Sequence, residues 1–266
     1  MTALRITPLF AFGSRRAVRM IERNLLVYKH GWMVLFSGFF EPLFYLLSIG
    51  FGLGRLVGDV AGPGGQPIPY ALFVAPALLA ASAMNGAITE STFNFFFKLN
   101  YDKTFASILT TPMSPADISL GELAWALIRG ALYAVGFLAV MVMFGLARSP
   151  LILLTLPGAL LIGFAFAAVG MAATSFMRSW QDFDLIQLVI LPMFLFSGTF
   201  FPLDSLPPAA QIAVQVTPLY HGVDLLRTLS LGVVGPDTII HVVYLTVMGL
   251  AGLAIVSRRL DKLLLK

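Results

Sequence analysis

Long apolar runs dominate the chain, cut into blocks by short polar stretches. Runs at about 31–53, 70–97, 120–146, 151–177, 183–201 and 236–256 are each close to or above the roughly 20 residues that cross a bilayer. The pattern predicts an all-α polytopic membrane protein with six transmembrane helices. Residues 12–30 follow a different rhythm. At about 100° per residue, Arg15, Arg16, Arg19, Glu22 and Arg23 share one arc, and Ala17, Met20, Ile21, Leu25, Val27 and Tyr28 face away, with Leu26 the exception. That division suits a helix lying in the headgroup plane. The plainer alternative is a basic flank that only orients the first span. The expected layout is an interfacial helix over 1–30, a transmembrane domain over 31–256 and a basic tail over 257–266.

One stretch breaks the rhythm. From Phe194 to Arg227 the chain reads FLFSGTFFPLDSLPPAAQIAVQVTPLYHGVDLLR, with a Ser197-Gly198 break and four prolines, Pro202, Pro207, Pro208 and Pro218. A simple spanning helix has no use for that punctuation. Proline is tolerated at the first turn of a helix, where the missing N–H has no intrahelical partner anyway. Two short apolar helices starting near Pro207 and Pro218 therefore fit the stretch. Irregular backbone at membrane depth survives only against protein or beside water. Residues 197–231 are thus expected to form a re-entrant helical hairpin that closes one end of a pathway.

Composition agrees: 58% of the 266 residues are hydrophobic, only 11% are charged, and the mean hydropathy is +0.89. A soluble surface needs more charge than that. With no cysteine, disulfides, thiolate chemistry and Cys-ligated zinc are excluded. The net charge of +4 does not point to nucleic acid, because the basic residues gather at span ends. With a cytoplasmic N-terminus, that side holds thirteen of the seventeen Lys and Arg, and the opposite side only Arg55, Arg148 and Arg227, with Arg129 near a boundary. The positive-inside rule then puts both termini and the loop 98–119 in the cytoplasm, and the hairpin outside.

At this point the chain resembles the membrane (permease) subunit of type-2 ABC exporters, in the group that exports drugs and nodulation factors. The resemblance is carried by SGTFFPLDSLP followed by TPLYHGVDLLR: Ser197, Gly198, Phe201, Pro202, Pro218, Leu219, Tyr220, His221 and Arg227. The loop segment ILTTPMSPADI is similar to that family's coupling segment. The resemblance implies a homodimer, with the first and fifth spans at its interface, and a separate ABC ATPase that binds ATP and Mg. It also implies export of a lipo-oligosaccharide or, alternatively, a hydrophobic drug, across a bacterial inner membrane. The residues agree on mechanism. No G-x-x-x-x-G-K-[ST] phosphate loop occurs, so energy for pumping must enter from a partner. The longest cytoplasmic loop is the natural contact: Tyr101, Asp102, Lys103, Thr104, Phe105, Leu109, Thr110 and Pro112, with a short helix ending before Pro112.

Other residues carry candidate chemistry. Ser197, Gly198, Phe201, Pro202, Pro218, Tyr220, His221, Asp224 and Arg227 form the expected outward gate, with Asp224 and Arg227 three apart as a local pair. Glu41, Asn85, Glu90 and Arg129 are polar positions within apolar spans. An ionisable group there costs roughly 2.5–3.5 kcal/mol on insertion scales. They line a pathway, form an interhelical pair, or sit at the interface. His30, His221 and His241 are far apart in sequence and lack ligand spacing, so no metal site is expected. Phe93, Phe95, Phe96 and Phe97 read as an interfacial belt. Two rival classes stand beside the exporter. An intramembrane enzyme using Ser197 or His221 lacks a second catalytic partner at helical spacing, and a passive channel lacks a repeated polar pore-lining helix.

Overall fold

The computed structural model describes residues 15–29, 40 and 42–264. Glu41 and His30 lie outside them, as do residues 31–39 of the first apolar run. Among the described residues, the chain is a helical assembly with one two-stranded antiparallel hairpin. Helix α1, Arg15–Tyr28, is the strongly amphipathic helix expected from the sequence. Helix α2, Pro42–Val57, leads into strands β1, Asp59–Ala61, and β2, Pro67–Pro69. In this glycine- and proline-rich turn Asp59 pairs with Pro69.

Helix α3, Tyr70–Tyr101, runs four residues past the expected 97 and contains π-helical turns at Glu90–Asn94 and Phe97–Tyr101. The short helix α4, Thr104–Ile108, follows after Lys103, the one non-glycine among the described residues with positive φ. Helix α5, Pro115–Met143, starts five residues before the expected 120. The cause is local: Ser114 caps the Asp117 N–H while the Asp117 carboxylate accepts from the Ser114 N–H at 2.9 Å, and Pro115 sits where no N–H is needed.

Helix α6, Pro150–Thr174, is the hub: it packs against α3, α5, helix α9 (Pro218–Leu231) and, most extensively, helix α10 (Asp237–Leu264). The small-residue rhythm of the fourth apolar run explains this. Ala159, Gly163, Ala167 and Gly170 are all buried or packed inward, and small residues let helix backbones approach in lipid. From the other side, a Cβ at Gly252 would sit 2.7 Å from the Ala168 backbone carbon.

Helix α7, Phe183–Phe196, is reached through a turn in which the Arg178 and Ser179 N–H groups donate to the Asp182 carboxylate at 2.8 and 3.1 Å. Those bonds, the one from Arg178 first, hold the Asp182 carboxyl below its usual range. Helix α7 buries none of its residues, and Leu185, Leu188 and Val189 are each more than 60% exposed. Helix α8, Pro208–Gln215, and α9 are the two proline-started short helices that the punctuation predicts. Helix α9 ends on Gly232 at φ +77, with the Val233 N–H donating to the Thr228 carbonyl.

Two further boundaries need correction. The sixth apolar run does not stop at 256: α10 continues to Leu264 because Leu260 is fully buried and the Arg259 guanidinium lies 4.5 Å from the Phe176 ring centroid. Most of the expected basic tail is therefore helix. The fifth run ends as helix at Phe196, not 201, where Gly198 takes φ +73, a conformation that breaks a helix and favours glycine. Among the described residues, four helices, α3, α5, α6 and α10, are long and apolar enough to cross a membrane.

Candidate functional site

Polar groups are concentrated at two places, one near each end of the bundle. At the α1 end, Glu90 is 2% exposed and pairs with Arg129 Nη1. Its Oε2 also accepts from Asn94 Nδ2 at 2.7 Å. Lys98 Nζ donates to Glu122 Oε2 at 2.6 Å and stands 3.7 Å from Glu90 Oε1. Asn24 of α1 joins through Glu122 Oε1 at 3.2 Å, and Arg129 Nη2 reaches the Tyr133 hydroxyl at 3.0 Å. Two carboxylates thus face two cations, so the cluster is close to neutral. Tyr28 of α1 lies against it, and burial, then the Glu90 charge, pushes its phenol up to about 12. Glu90 of α3 and Arg129 of α5 thus form an interhelical ion pair. Asn85 is half-buried on α3, outside the cluster.

Sequence reasoning left Lys98, Glu122 and Asn24 out of the candidate set. A signal existed: Glu90, Asn94 and Lys98 step by four along α3, and the π-helical turns keep that stripe on one face. Glu122 and Arg129 are two turns apart on α5.

The loop residues expected to couple to an ATPase lie beside this cluster. Tyr101, Asp102, Lys103, Thr110 and Pro112 are exposed, whereas Thr104 and Leu109 are half-buried. Phe105 is fully buried with its ring 5.1 Å from that of Phe95, so it anchors α4 from inside instead of presenting itself outward. Arg16 Nη1 donates to the Pro112 carbonyl at 2.6 Å and ties the loop to α1.

At the far end, the expected gate residues meet around α9. Arg227 is 6% exposed; its Nη2 donates to the Gly198 carbonyl at 2.7 Å and its Nε to the Phe73 carbonyl at 3.2 Å. Its guanidinium lies 3.8 Å from the Phe73 ring centroid. Ser197 Oγ and Thr199 Oγ1 are 2.8 Å apart, and the Tyr70 hydroxyl donates to the Phe200 carbonyl at 2.8 Å. The local Asp224–Arg227 pair is not what forms. The Asp224 Oδ2 atom is instead 2.9 Å from His241 Nε2 of α10, and His241 Nδ1 is 2.8 Å from His221 Nδ1. Two histidines twenty residues apart meet because the 232–236 turn folds α10 back on α9. Phe201, Pro202, Pro218 and Tyr220 frame this arrangement: Pro202 caps the turn Leu203–Ser205, Pro218 opens α9, and the Tyr220 ring is 6.1 Å from that of His241. No group of three or more His, Cys, Asp or Glu able to hold a metal ion occurs among the described residues.

A bundle of long apolar helices, with compensated charge at one end and two proline-started short helices at the other, is that of a polytopic membrane protein. The family comparison makes this particular. The ABC-2 type transporter family matches residues 16–231, and the chain belongs to it as a membrane permease. It is similar to Nodulation protein J of Rhizobium leguminosarum bv. trifolii, 35% identical over 93% of this chain and 95% of that one. Similarity extends to Nodulation protein J of the same species, bv. viciae, 34% identical over 90% and 93% of the two chains. The protein of that name from Rhizobium meliloti (strain 1021) is 35% identical over 79% of each.

Proposed function

We propose that the chain is the permease of an ATP-driven exporter that moves an amphiphile with an oligosaccharide head, a lipo-oligosaccharide, out of the cytoplasm or inner leaflet. The observation that carries this reading is the near full-length similarity to Nodulation protein J. Its energy comes from a separate ABC ATPase that binds ATP and Mg. Two copies of the chain complete the pathway, each contributing six crossings with both termini in the cytoplasm. Helix α7, apolar and without a buried residue, supports a second copy packing there, together with the first apolar run.

In this reading the ATPase docks on the exposed Tyr101, Asp102, Lys103, Thr110 and Pro112, and Phe105 keeps α4 in position beneath them. Force applied to that loop reaches the membrane through the Arg16–Pro112 tie and the Lys98–Glu122 bond. The α8–α9 hairpin is the outward gate, held shut by Arg227 on the Gly198 and Phe73 carbonyls. The test is transport by the reconstituted permease–ATPase complex in vesicles, with acylated chito-oligosaccharide and a hydrophobic dye as alternative cargoes. The expected result is ATP-dependent movement of the glycolipid, lost in Asp102→Ala with membrane insertion intact. Movement of the dye alone would turn the reading to drug efflux. Substrate-stimulated ATP hydrolysis at the wild-type rate in Asp102→Ala would remove Asp102 from the coupling contact.

A further inference from the structure

At the end of the bundle away from α1, the turn after α2 and the turn between α5 and α6 flank an open cavity of about 360 Å³. That lies within the roughly 300–1,000 Å³ of small-molecule sites. Its lining includes Arg55 from one turn and Arg148 from the other, 93 positions apart in sequence. Both arginines are exposed, and neither has a carboxylate within 4.0 Å among the described residues. Asp59 is the single acid in the lining, so the cavity carries a net positive charge. The coincidence matters because the expected topology leaves this end only Arg55, Arg148 and Arg227. Arg227 is buried on carbonyls, so both remaining cations of the cation-poor end face one space.

The walls are apolar. The Phe51 and Phe144 rings are 5.0 Å apart, and on the same two segments Leu56 and Met143 are 84% and 83% exposed. Gly58 at φ +75 and Gly145 at φ +70 make the two turns, and a side chain on either would meet nothing within 4 Å, so the space above them is open. A cationic pocket open to an apolar flank suits a group that is anionic at one end and acylated at the other. Arginine binds phosphate oxygens through paired N–H donors.

We propose that this cavity binds the phosphodiester head of an anionic phospholipid from the leaflet opposite α1, with its acyl chains along the Leu56 and Met143 surface. The site does not depend on the cargo reading. The test uses the full chain in a neutral detergent, titrated with phosphatidylglycerol, phosphatidylcholine or inorganic phosphate and followed by native mass spectrometry and thermal unfolding. Phosphatidylglycerol is expected to bind and raise the midpoint, with affinity about tenfold weaker in Arg55→Gln/Arg148→Gln, as the loss of charge-assisted bonds implies. Arg55→Lys/Arg148→Lys keeps the charge and should retain part of the binding, and an unchanged lipid-free midpoint in both variants shows that they fold. Equal phosphatidylglycerol binding by the Gln variant overturns the proposal. So does equal stabilisation by phosphatidylcholine, which would make the contact purely apolar, or displacement by inorganic phosphate, which would make it a soluble-anion site.

Discussion

The two ends of the bundle handle buried polarity in opposite ways. Near α1, carboxylates and cations neutralise each other: Glu90 with Arg129, and Glu122 with Lys98. Near α9, the buried Arg227 has no ion-pair partner within 4.0 Å among the described residues; two backbone carbonyls and the face of Phe73 hold it. A charge paired with a charge is locked, because removing either member strands the other in a medium that cannot solvate it. A cation held by carbonyl dipoles makes more modest bonds, and the carbonyls it leaves behind are neutral. The first arrangement suits a joint that transmits force without yielding. The second suits a contact that must open.

The sharpest way to break this comparison is to remove one charge at each end. Glu90→Ala should destabilise the protein by about 3–5 kcal/mol, the typical cost of stranding a buried partner. The double change Glu90→Gln/Arg129→Met removes both charges and should recover most of that loss. Thermal unfolding in detergent measures both, and Trp125, whose ring is 5.3 Å from that of Tyr28, reports the loss of the cluster by fluorescence in a Trp32→Phe/Trp180→Phe background. A double variant as unstable as the single one would show that the pair does more than neutralise itself.

Arg227→Met is expected to be milder, about 1–3 kcal/mol, because what remains unpaired is two carbonyls and not a charge. Its effect should be local. Val214 is 5% exposed on α8, and the native chain has no cysteine, so Val214→Cys gives a single reporter. Added to Arg227→Met, that reporter should react several-fold faster with an external impermeant thiol reagent, while the Trp125 signal stays unchanged. If both signals move together, the two ends are one cooperative unit and the contrast between them fails.

The four long helices, α3, α5, α6 and α10, were legible because their apolar runs are long enough to declare themselves. The boundaries were less so. The α5 start is written in Ser114, Pro115 and Asp117, a capping signal that a hydropathy reading passes over. The α10 end was hidden because Arg258, Arg259 and Lys262 read as solvated charge, although Leu260 is buried and Arg259 stacks on Phe176. At the sites, Glu90 and Arg129 stood out as ionisable residues inside apolar runs. Their neighbours Lys98 and Glu122 sit near span ends, where charge is unremarkable, so tertiary pairing alone gives them meaning. The short helices α8 and α9 were legible from their prolines. The bond partners around them were not, because sequence proximity favoured Asp224 with Arg227 while the fold brings His241 within reach.

The smallest expected effect sharpens the comparison at the α9 end. Asp224 is the acid there, and its side chain is 27% exposed, so it keeps access to water if its partner is removed. His241→Phe should therefore cost only about 0.5–1.5 kcal/mol, the worth of an ordinary hydrogen bond, since phenylalanine can still pack against the rings of Tyr220 and His221. The informative partner change is His221→Phe. His221 is connected to Asp224 through His241, so in a chain of bonds the two substitutions should be non-additive. The double variant should then lose little more than the worse single one. Thermal midpoints of the four proteins close the cycle. Fully additive losses would mean that the 2.8 Å contact between the two Nδ1 atoms contributes nothing, leaving the Asp224–His241 bond to act without His221.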